Sequence, residues 1–80
     1  MARIVWPETI LDVLSEISRK ERDLILEKVD RLERFPNLYP IRGKGRFRRF
    51  RWFFAGNWLV FYRVIEDTVY IRALWPARVP

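Results

Sequence analysis

The sequence predicts an α+β domain of order β-α-α-β-β-β, in which a helix hairpin packs on one face of a small, mainly antiparallel sheet. The N-terminal half carries apolar residues at helical spacing. Residues 46–78 hold ten of the thirteen aromatic residues, and such residues favour strands. Two short breaks divide that stretch, which is typical of an antiparallel meander. A chain of 80 residues suits a single domain, 1–80.

The N-terminal half predicts a short strand at residues 3–6 followed by two helices. Apolar side chains recur at helical spacing in both helical segments, and we expect them to face the sheet: Ile10, Leu11, Leu14 and Ile17, then Ile25, Val29 and Leu32. A capping box at Ser18 and Glu21 marks the start of the second helix. Pro36 ends it, because the residue before a proline resists the helical conformation.

The second and third strands of the meander, 59–65 and 69–75, can be paired by assuming a two-residue loop at Glu66-Asp67. One side of the resulting sheet is mostly apolar and is expected to face the helices: Val64 opposite Val69, Tyr62 opposite Ile71, Val60 opposite Ala73 and Trp58 opposite Trp75. The other side pairs Arg63 with Tyr70 and Phe61 with Arg72.

The faces of the first meander strand, 50–54, depend on the length of the loop that follows it. A two-residue loop at Gly56-Asn57 would place Arg49 and Arg51 among the apolar side chains, and burying unpaired arginines is costly. We therefore predict a three-residue loop, 55–57. That loop turns three aromatic residues towards the helices: Phe50, Trp52 and Phe54.

The sheet face away from the helices is the predicted functional surface. It combines arginines with more large apolar side chains than solvation requires, as binding surfaces for acidic partners do. Its expected members are Arg49, Arg51, Phe53, Leu59, Phe61, Arg63, Tyr70, Arg72 and Leu74. The alternative interpretation is an ordinary solvated face whose aromatic residues lie under the arginine stems.

Charge is distributed unevenly along a chain whose net charge is +6. Residues 1–34 hold seven basic and eight acidic side chains, whereas residues 35–80 hold nine basic and two acidic ones. This asymmetry predicts that the C-terminal half meets a negatively charged partner, either nucleic acid or an acidic protein.

The composition excludes several kinds of chemistry. The chain has no histidine and no cysteine, which excludes a catalytic triad and removes the usual ligands of a zinc site. We expect no metal, no cofactor and no self-sufficient enzyme. No long apolar run predicts a membrane span or a signal peptide, which favours a cytoplasmic protein. The candidate catalytic residues that remain are Lys44, Arg63, Tyr70 and Arg78.

The C-terminal strands resemble a known family. The segments FAGNWLVFYRV at 54–64 and DTVYIRALWPAR at 67–78, in a small basic chain with this order of elements, are similar to the RelE/ParE superfamily. These proteins are toxins of bacterial type II toxin–antitoxin modules, and the resemblance covers nearly the whole chain. It implies an acidic antitoxin as partner, and we expect a disordered segment of that antitoxin to fold across the arginine-rich sheet face.

The resemblance implies one of two activities. RelE-like members cleave messenger RNA in the ribosomal A site, using basic residues on the sheet and often a tyrosine in a C-terminal helix; ParE-like members poison DNA gyrase. No tyrosine follows Arg78, and the Tyr62-Arg63 pair is more similar to the ParE side. We therefore expect growth inhibition through gyrase. The alternatives are a ribosome-dependent mRNA endoribonuclease and a non-toxic basic binding module. The functional positions carried over are Arg49, Arg51, Arg63 and Arg78.

Overall fold

The computed structural model describes residues 1–77 and has the predicted order of elements. These elements are β1 (Arg3–Val5), α1 (Glu8–Glu16), α2 (Arg19–Asp30), a 3₁₀ turn (Arg31–Glu33), β2 (Arg51–Ala55), β3 (Trp58–Ile65) and β4 (Thr68–Pro76). The sheet order is β1-β4-β3-β2, with an antiparallel meander from β2 to β4 and β1 parallel to β4. The α+β fold is therefore confirmed. No helix in the described range is long and apolar enough to cross a membrane.

Side chains satisfy the C-terminal end of α1 and the N-terminal end of α2. The predicted capping box is present, because Ser18 Oγ accepts the N–H of Glu21 at 3.2 Å and the Glu21 carboxylate accepts the N–H of Ser18 at 3.3 Å. Arg22 of α2 donates to the carbonyl of Leu14 at 2.7 Å and to that of Ile17 at 3.1 Å. This arginine satisfies carbonyls at the end of α1 that the helix itself leaves free, and it joins the two helices.

The main core lies between the helices and one face of the sheet. Ile25, Val29 and Leu32 are fully buried there, as predicted, together with Tyr62 and Ile71 from the strands. Fully burying an aliphatic or aromatic side chain contributes about 1.5–3 kcal/mol. Helix packing against one sheet face is therefore the main source of stability in this small domain.

The prediction that Leu11 of α1 faces the sheet is wrong. Leu11 is 47% exposed, whereas Val13 packs against the core beside Ile10 and Leu14. An α-helix turns by about 100° per residue. The stripe centred on Ile10 and Leu14 therefore also includes Val13 and Ile17, and Leu11 lies on its margin.

The structure corrects the predicted length of the first hairpin loop. Ala55 pairs with Trp58, so the loop is Gly56-Asn57, two residues rather than three. Gly56 has a φ of 60°, and a type II′ hairpin needs a positive φ at this first loop position. Because side chains alternate along a strand, the shorter loop turns every side chain of β2 to the opposite face from the one predicted.

The faces of β2 are consequently exchanged. Phe53 is buried in the main core, whereas Trp52 and Phe50 pack on the face away from the helices, which we call the outer face. Arg51 lies on the helix side, where its guanidinium donates to the carbonyl of Tyr39 at 2.7 Å. The prediction was wrong because it assumed that this arginine would be buried without a partner.

A β-bulge in β4 also changes the predicted register. Tyr62 pairs with Ile71 as predicted, but Phe61 pairs with Ala73, so Arg72 is an extra residue in β4. Ala73, which was predicted to face the helices, instead packs against Phe61 on the outer face. Such a bulge re-aims the side chains that follow it without ending the strand.

Beyond the bulge the predicted pairs are shifted by one residue. Val60 lies opposite Leu74, and Trp58 lies opposite Pro76. Leu74 therefore enters the main core instead of the outer face. Trp75, predicted to be buried against the helices, is 44% exposed and reaches the outer face.

Two side chains of α2 hold the β2–β3 hairpin. Glu21 Oε2 accepts the indole N–H of Trp58 at 2.7 Å, and Lys28 Nζ donates to the carbonyl of Phe54 at 2.7 Å. The pKa of Glu21 lies below its usual value of 4.5, because the Ser18 hydroxyl and then the Trp58 indole donate to its charged form. The carboxylate thus links the helix cap to the sheet.

Phe53→Ala and Phe54→Ala form a matched test of the β2 register. Phe53→Ala should lower the free energy of unfolding by about 3–5 kcal/mol, because it leaves a cavity in the main core. Phe54→Ala should cost about 1 kcal/mol or less, since Phe54 is half-exposed. Chemical denaturation of both variants measures these losses in the free energy of unfolding. A larger loss for Phe54→Ala than for Phe53→Ala would favour the three-residue loop.

Glu21→Gln should make stability less dependent on pH. A carboxylate whose folded pKa is depressed adds stability above its unfolded pKa and loses it as pH falls through the folded pKa. The parent should therefore melt at a higher temperature than the variant at pH 7, and the gap should close as pH falls below about 4.5. In a Trp58→Phe background, which lacks one hydrogen-bond donor to this carboxylate, the difference in melting temperature that Glu21→Gln causes at pH 7 should be smaller. An equal gap at pH 7 and pH 3 would contradict the role of this carboxylate.

Candidate functional site

A basic loop, residues 42–50, folds back over the outer face of the sheet. Its ends are closed by two backbone hydrogen bonds, from Arg42 N to the carbonyl of Phe50 at 2.8 Å and from Arg49 N to the carbonyl of Arg42 at 2.9 Å. Gly45 has a φ of 90° and Arg49 a φ of 76°. The positive φ at Arg49 is unfavourable for a residue with a side chain, so the contacts of the loop with the sheet must hold it in place.

Phe47 supplies the main contact. Its ring stacks on Phe61 with the ring centroids 4.3 Å apart, and its edge meets Trp75 at 5.6 Å and Phe50 at 5.9 Å. Phe47, Phe61 and Ala73 are buried together in a second apolar cluster on the outer face, which we call the outer cluster. The loop arginines are therefore attached to the sheet through an apolar anchor.

Arginines of the outer face lie over aromatic rings. Three guanidinium groups are within cation–π range of about 6 Å from a ring centroid: Arg42 with Phe61 at 5.5 Å, Arg46 with Trp75 at 5.5 Å and Arg63 with Phe50 at 5.6 Å. Such contacts orient the guanidinium groups. The Arg42 Nε donates to the carbonyl of Lys44 at 3.0 Å, and the other N–H groups of its guanidinium still face the cleft as donors for a partner.

A small cleft of about 150 Å³ opens among these side chains. Its apolar lining and its cations come from six residues: Arg42, Arg46, Phe47, Leu59, Phe61 and Trp75. No acidic residue lines it. The cleft is therefore suited to a small apolar or planar group attached to a negatively charged partner.

The positive charge around this cleft is not neutralised within the described part of the chain. The sequence from Arg34 to Ile65 contains eight basic residues and no acidic residue. The salt bridges found in residues 1–77 are elsewhere, between Arg19 and Asp23 and between Arg31 and Glu27. Uncompensated charge of one sign attracts and orients a partner of the opposite sign.

The structure brings several of the predicted site residues to the outer face. Arg63 and Tyr70 are cross-strand partners and are both exposed there. Arg72 is exposed at the bulge. Arg49 and Lys44 are exposed in the basic loop rather than on a strand. These five residues lie where a partner can reach them.

Three predicted binding residues are not available to a partner. Phe61 lies on the outer face but is only 2% exposed, because Phe47 covers it. Phe53 lies in the main core. Arg51 is directed to the loop carbonyls on the helix side. Arg78, the remaining predicted site residue, lies outside the described residues.

Four residues that line the cleft were not predicted from the sequence: Arg42, Arg46, Phe47 and Trp75. Arg42, Arg46 and Phe47 were not among the predicted site residues, and Trp75 was placed in the core. The signal that could have found the two arginines is Phe47, because an aromatic residue within a basic run indicates that the run packs on apolar surface. No comparable signal marks the bulge that redirects Trp75.

The groups that the outer face presents are suited to binding. Tyr62 is buried on the other side, where its hydroxyl donates to the carbonyl of Pro36 at 2.9 Å, and burial raises the pKa of Tyr62. Residues 1–77 contain no group of three or more histidine, cysteine, aspartate or glutamate side chains that could hold a metal ion. What the outer face presents is oriented guanidinium groups beside exposed aromatic surface.

One comparison with known proteins gives a match. A family model described as "ParE toxin of type II toxin-antitoxin system, parDE" matches residues 5–79. The match includes both helices, the basic loop and the whole meander. Comparisons with curated proteins and with solved structures found no match.

Phe47→Ala should release the basic loop from the sheet. Hydrogen exchange at the N–H of Arg49, which bonds within the loop, should become faster, while exchange in the centre of β3 stays slow. The loss in global stability should be smaller than the about 3–5 kcal/mol typical of a core Phe→Ala change, because the loop can detach locally. Arg48→Ala, an exposed change in the same loop, is the control. Equal exchange rates at the Arg49 N–H in Phe47→Ala and Arg48→Ala would contradict the anchoring role of Phe47.

Proposed function

Because the chain belongs to the ParE toxin family of type II toxin–antitoxin systems, we propose that it inhibits growth by binding DNA gyrase through its outer face. Membership of this family implies an antitoxin partner. We further propose that the antitoxin is acidic and covers the same face. The observation that carries the proposal is the group of unneutralised arginines held over aromatic rings around the cleft.

The composition of the outer face favours a protein target. Trp75, Phe54 and Tyr70 each keep roughly half of their surface exposed there. Seven of the eight basic residues between Arg34 and Ile65 are arginines. Protein interfaces are enriched in arginine, tryptophan and tyrosine and depleted in lysine, whereas phosphate contacts use lysine as readily as arginine.

The second candidate function is ribosome-dependent cleavage of messenger RNA. One observation favours it, namely that Tyr70 and Arg63 are exposed cross-strand partners on the outer face. Arginine stabilises negative charge on a phosphate, but it stays protonated and cannot act as a base. With no histidine in the chain, this pair would depend on the ribosome for the remaining chemistry.

Induced expression without the neighbouring antitoxin gene separates these functions. Gyrase inhibition should arrest growth, induce the DNA damage response and leave messenger RNA intact. The purified protein should also inhibit supercoiling by purified gyrase. Messenger RNA cleavage that is lost in Tyr70→Phe would favour the ribosomal target. Normal growth of the expressing cells would contradict both toxic functions and favour a binding module.

The double variant Arg49→Ala/Arg63→Ala should lose most of its toxicity without losing stability. Both residues are exposed, and exposed substitutions usually change the free energy of unfolding by about 0.5 kcal/mol or less. The matched control is Arg19→Ala/Arg31→Ala, which removes the same charge from α2 and the 3₁₀ turn that follows it. Viable counts after induction and thermal melts give the comparison. Equal toxicity of the two double variants would contradict a role for the outer face.

A further inference from the structure

A second exposed surface lies on the loop that precedes the basic loop. Phe35, Leu38 and Ile41 are 61%, 48% and 55% exposed, and we call these three residues the apolar loop surface. Single apolar residues on a surface are ordinary, but three large exposed ones within seven positions are a local concentration that favours an interaction site. None of the three belongs to either apolar cluster of the domain.

The exposure of these side chains does not result from a loose backbone. The carbonyl of Pro36 accepts the buried Tyr62 hydroxyl at 2.9 Å, and the carbonyl of Tyr39 accepts Arg51 at 2.7 Å. The Tyr39 ring also stacks on Phe53 with centroids 4.3 Å apart. The core thus holds the loop at Pro36 and Tyr39, while the apolar loop surface is turned outwards. A partner would lose little affinity to ordering this surface, since it is already ordered.

The apolar loop surface lines part of two hollows, Phe35 and Leu38 the first and Ile41 the second, and their charge indicates the kind of occupant. One, of about 380 Å³, is lined by residues 34–38; the other, of about 390 Å³, is lined by residues 40–44 and Trp52. Neither contains an acidic residue, whereas a hollow on α2 mixes both signs. A second copy of the chain would place Arg34, Arg42 and Lys44 against like charges, which is unfavourable. An acidic, partly apolar segment complements both hollows.

The apolar loop surface is continuous with the outer face. Arg42 lines both the second hollow and the outer-face cleft. A segment seated on the apolar loop surface and passing Arg42 would therefore enter the cleft beside Arg46. A single bound chain could occupy both surfaces.

We propose that the apolar loop surface anchors an acidic, amphipathic segment of the antitoxin, and that the continuation of this segment covers the outer face. The proposal rests on the proposed function for the identity of the partner. Apolar contacts at the anchor set the lifetime of the complex, because affinity differences arise mostly in dissociation. The arginines of the outer face speed the encounter through long-range attraction.

The double variant Phe35→Ser/Leu38→Ser tests the anchor. The probe is the protein encoded beside this gene, expressed with the variant and also purified for titration. The variant should arrest growth like the parent, because neither side chain lies on the outer face. Its dissociation constant for the neighbouring protein should rise about tenfold or more, and more of that protein should be needed to restore growth. Thermal melts check that the variant folds.

Two further variants separate apolar from charge contributions. Leu38→Ser and Leu11→Ser remove leucines of nearly equal exposure, 48% and 47%, and only the first should weaken binding. Arg34→Glu, at the rim of the first hollow, should weaken binding and reduce its dependence on salt.

Specific results would overturn the proposal. An unchanged dissociation constant for Phe35→Ser/Leu38→Ser would do so. So would a parent that dimerises on its own and becomes monomeric in this variant, since the surface would then bind a second copy. The two assays fail independently: a parent that does not arrest growth contradicts the proposed function, whereas equal dissociation constants contradict the anchor.

Discussion

The hydrogen bond from Arg51 to the carbonyl of Tyr39 determines the arrangement of both proposed binding surfaces. It satisfies an arginine on the helix side of β2, so that β2 can turn Phe53 into the main core and Trp52 outwards. The same bond holds the loop that carries the apolar loop surface. Without this acceptor the observed register would leave a half-buried guanidinium unpaired on the apolar side of the sheet, which is unfavourable.

The sheet carries apolar clusters on both faces, and the cluster on the outer face both stabilises the domain and supports the proposed binding surface. A chain of 80 residues has a limited core, and Phe47 extends it by closing over Phe61. The rings that form this outer cluster also lie under Arg42, Arg46 and Arg63. Packing therefore orders the cations that a binding surface needs, so a partner does not have to order them.

Two adjoining surfaces suit a toxin that is held inactive by a bound partner. The outer face is rich in arginine and aromatic surface, whereas the apolar loop surface adds contact area outside it. A partner that contacts both surfaces can bind more tightly than a target that contacts the outer face alone. Binding at one surface raises the effective concentration of the linked segment at the other. Arg42, which lines the hollows of both surfaces, is the residue through which they join.

The sequence alone determined the class of fold, the capping box at Ser18, the meander and the family resemblance, because these depend on local propensity, turn residues and apolar periodicity. It also placed Tyr62 in the core and Arg63 outside, since a two-residue turn sets that register directly. Only the tertiary structure decided the faces of β2 and the position of Trp75. Distant loop carbonyls that receive Arg51, and a bulge at Arg72, have no local signature, and a shift of one residue exchanges the faces of a strand.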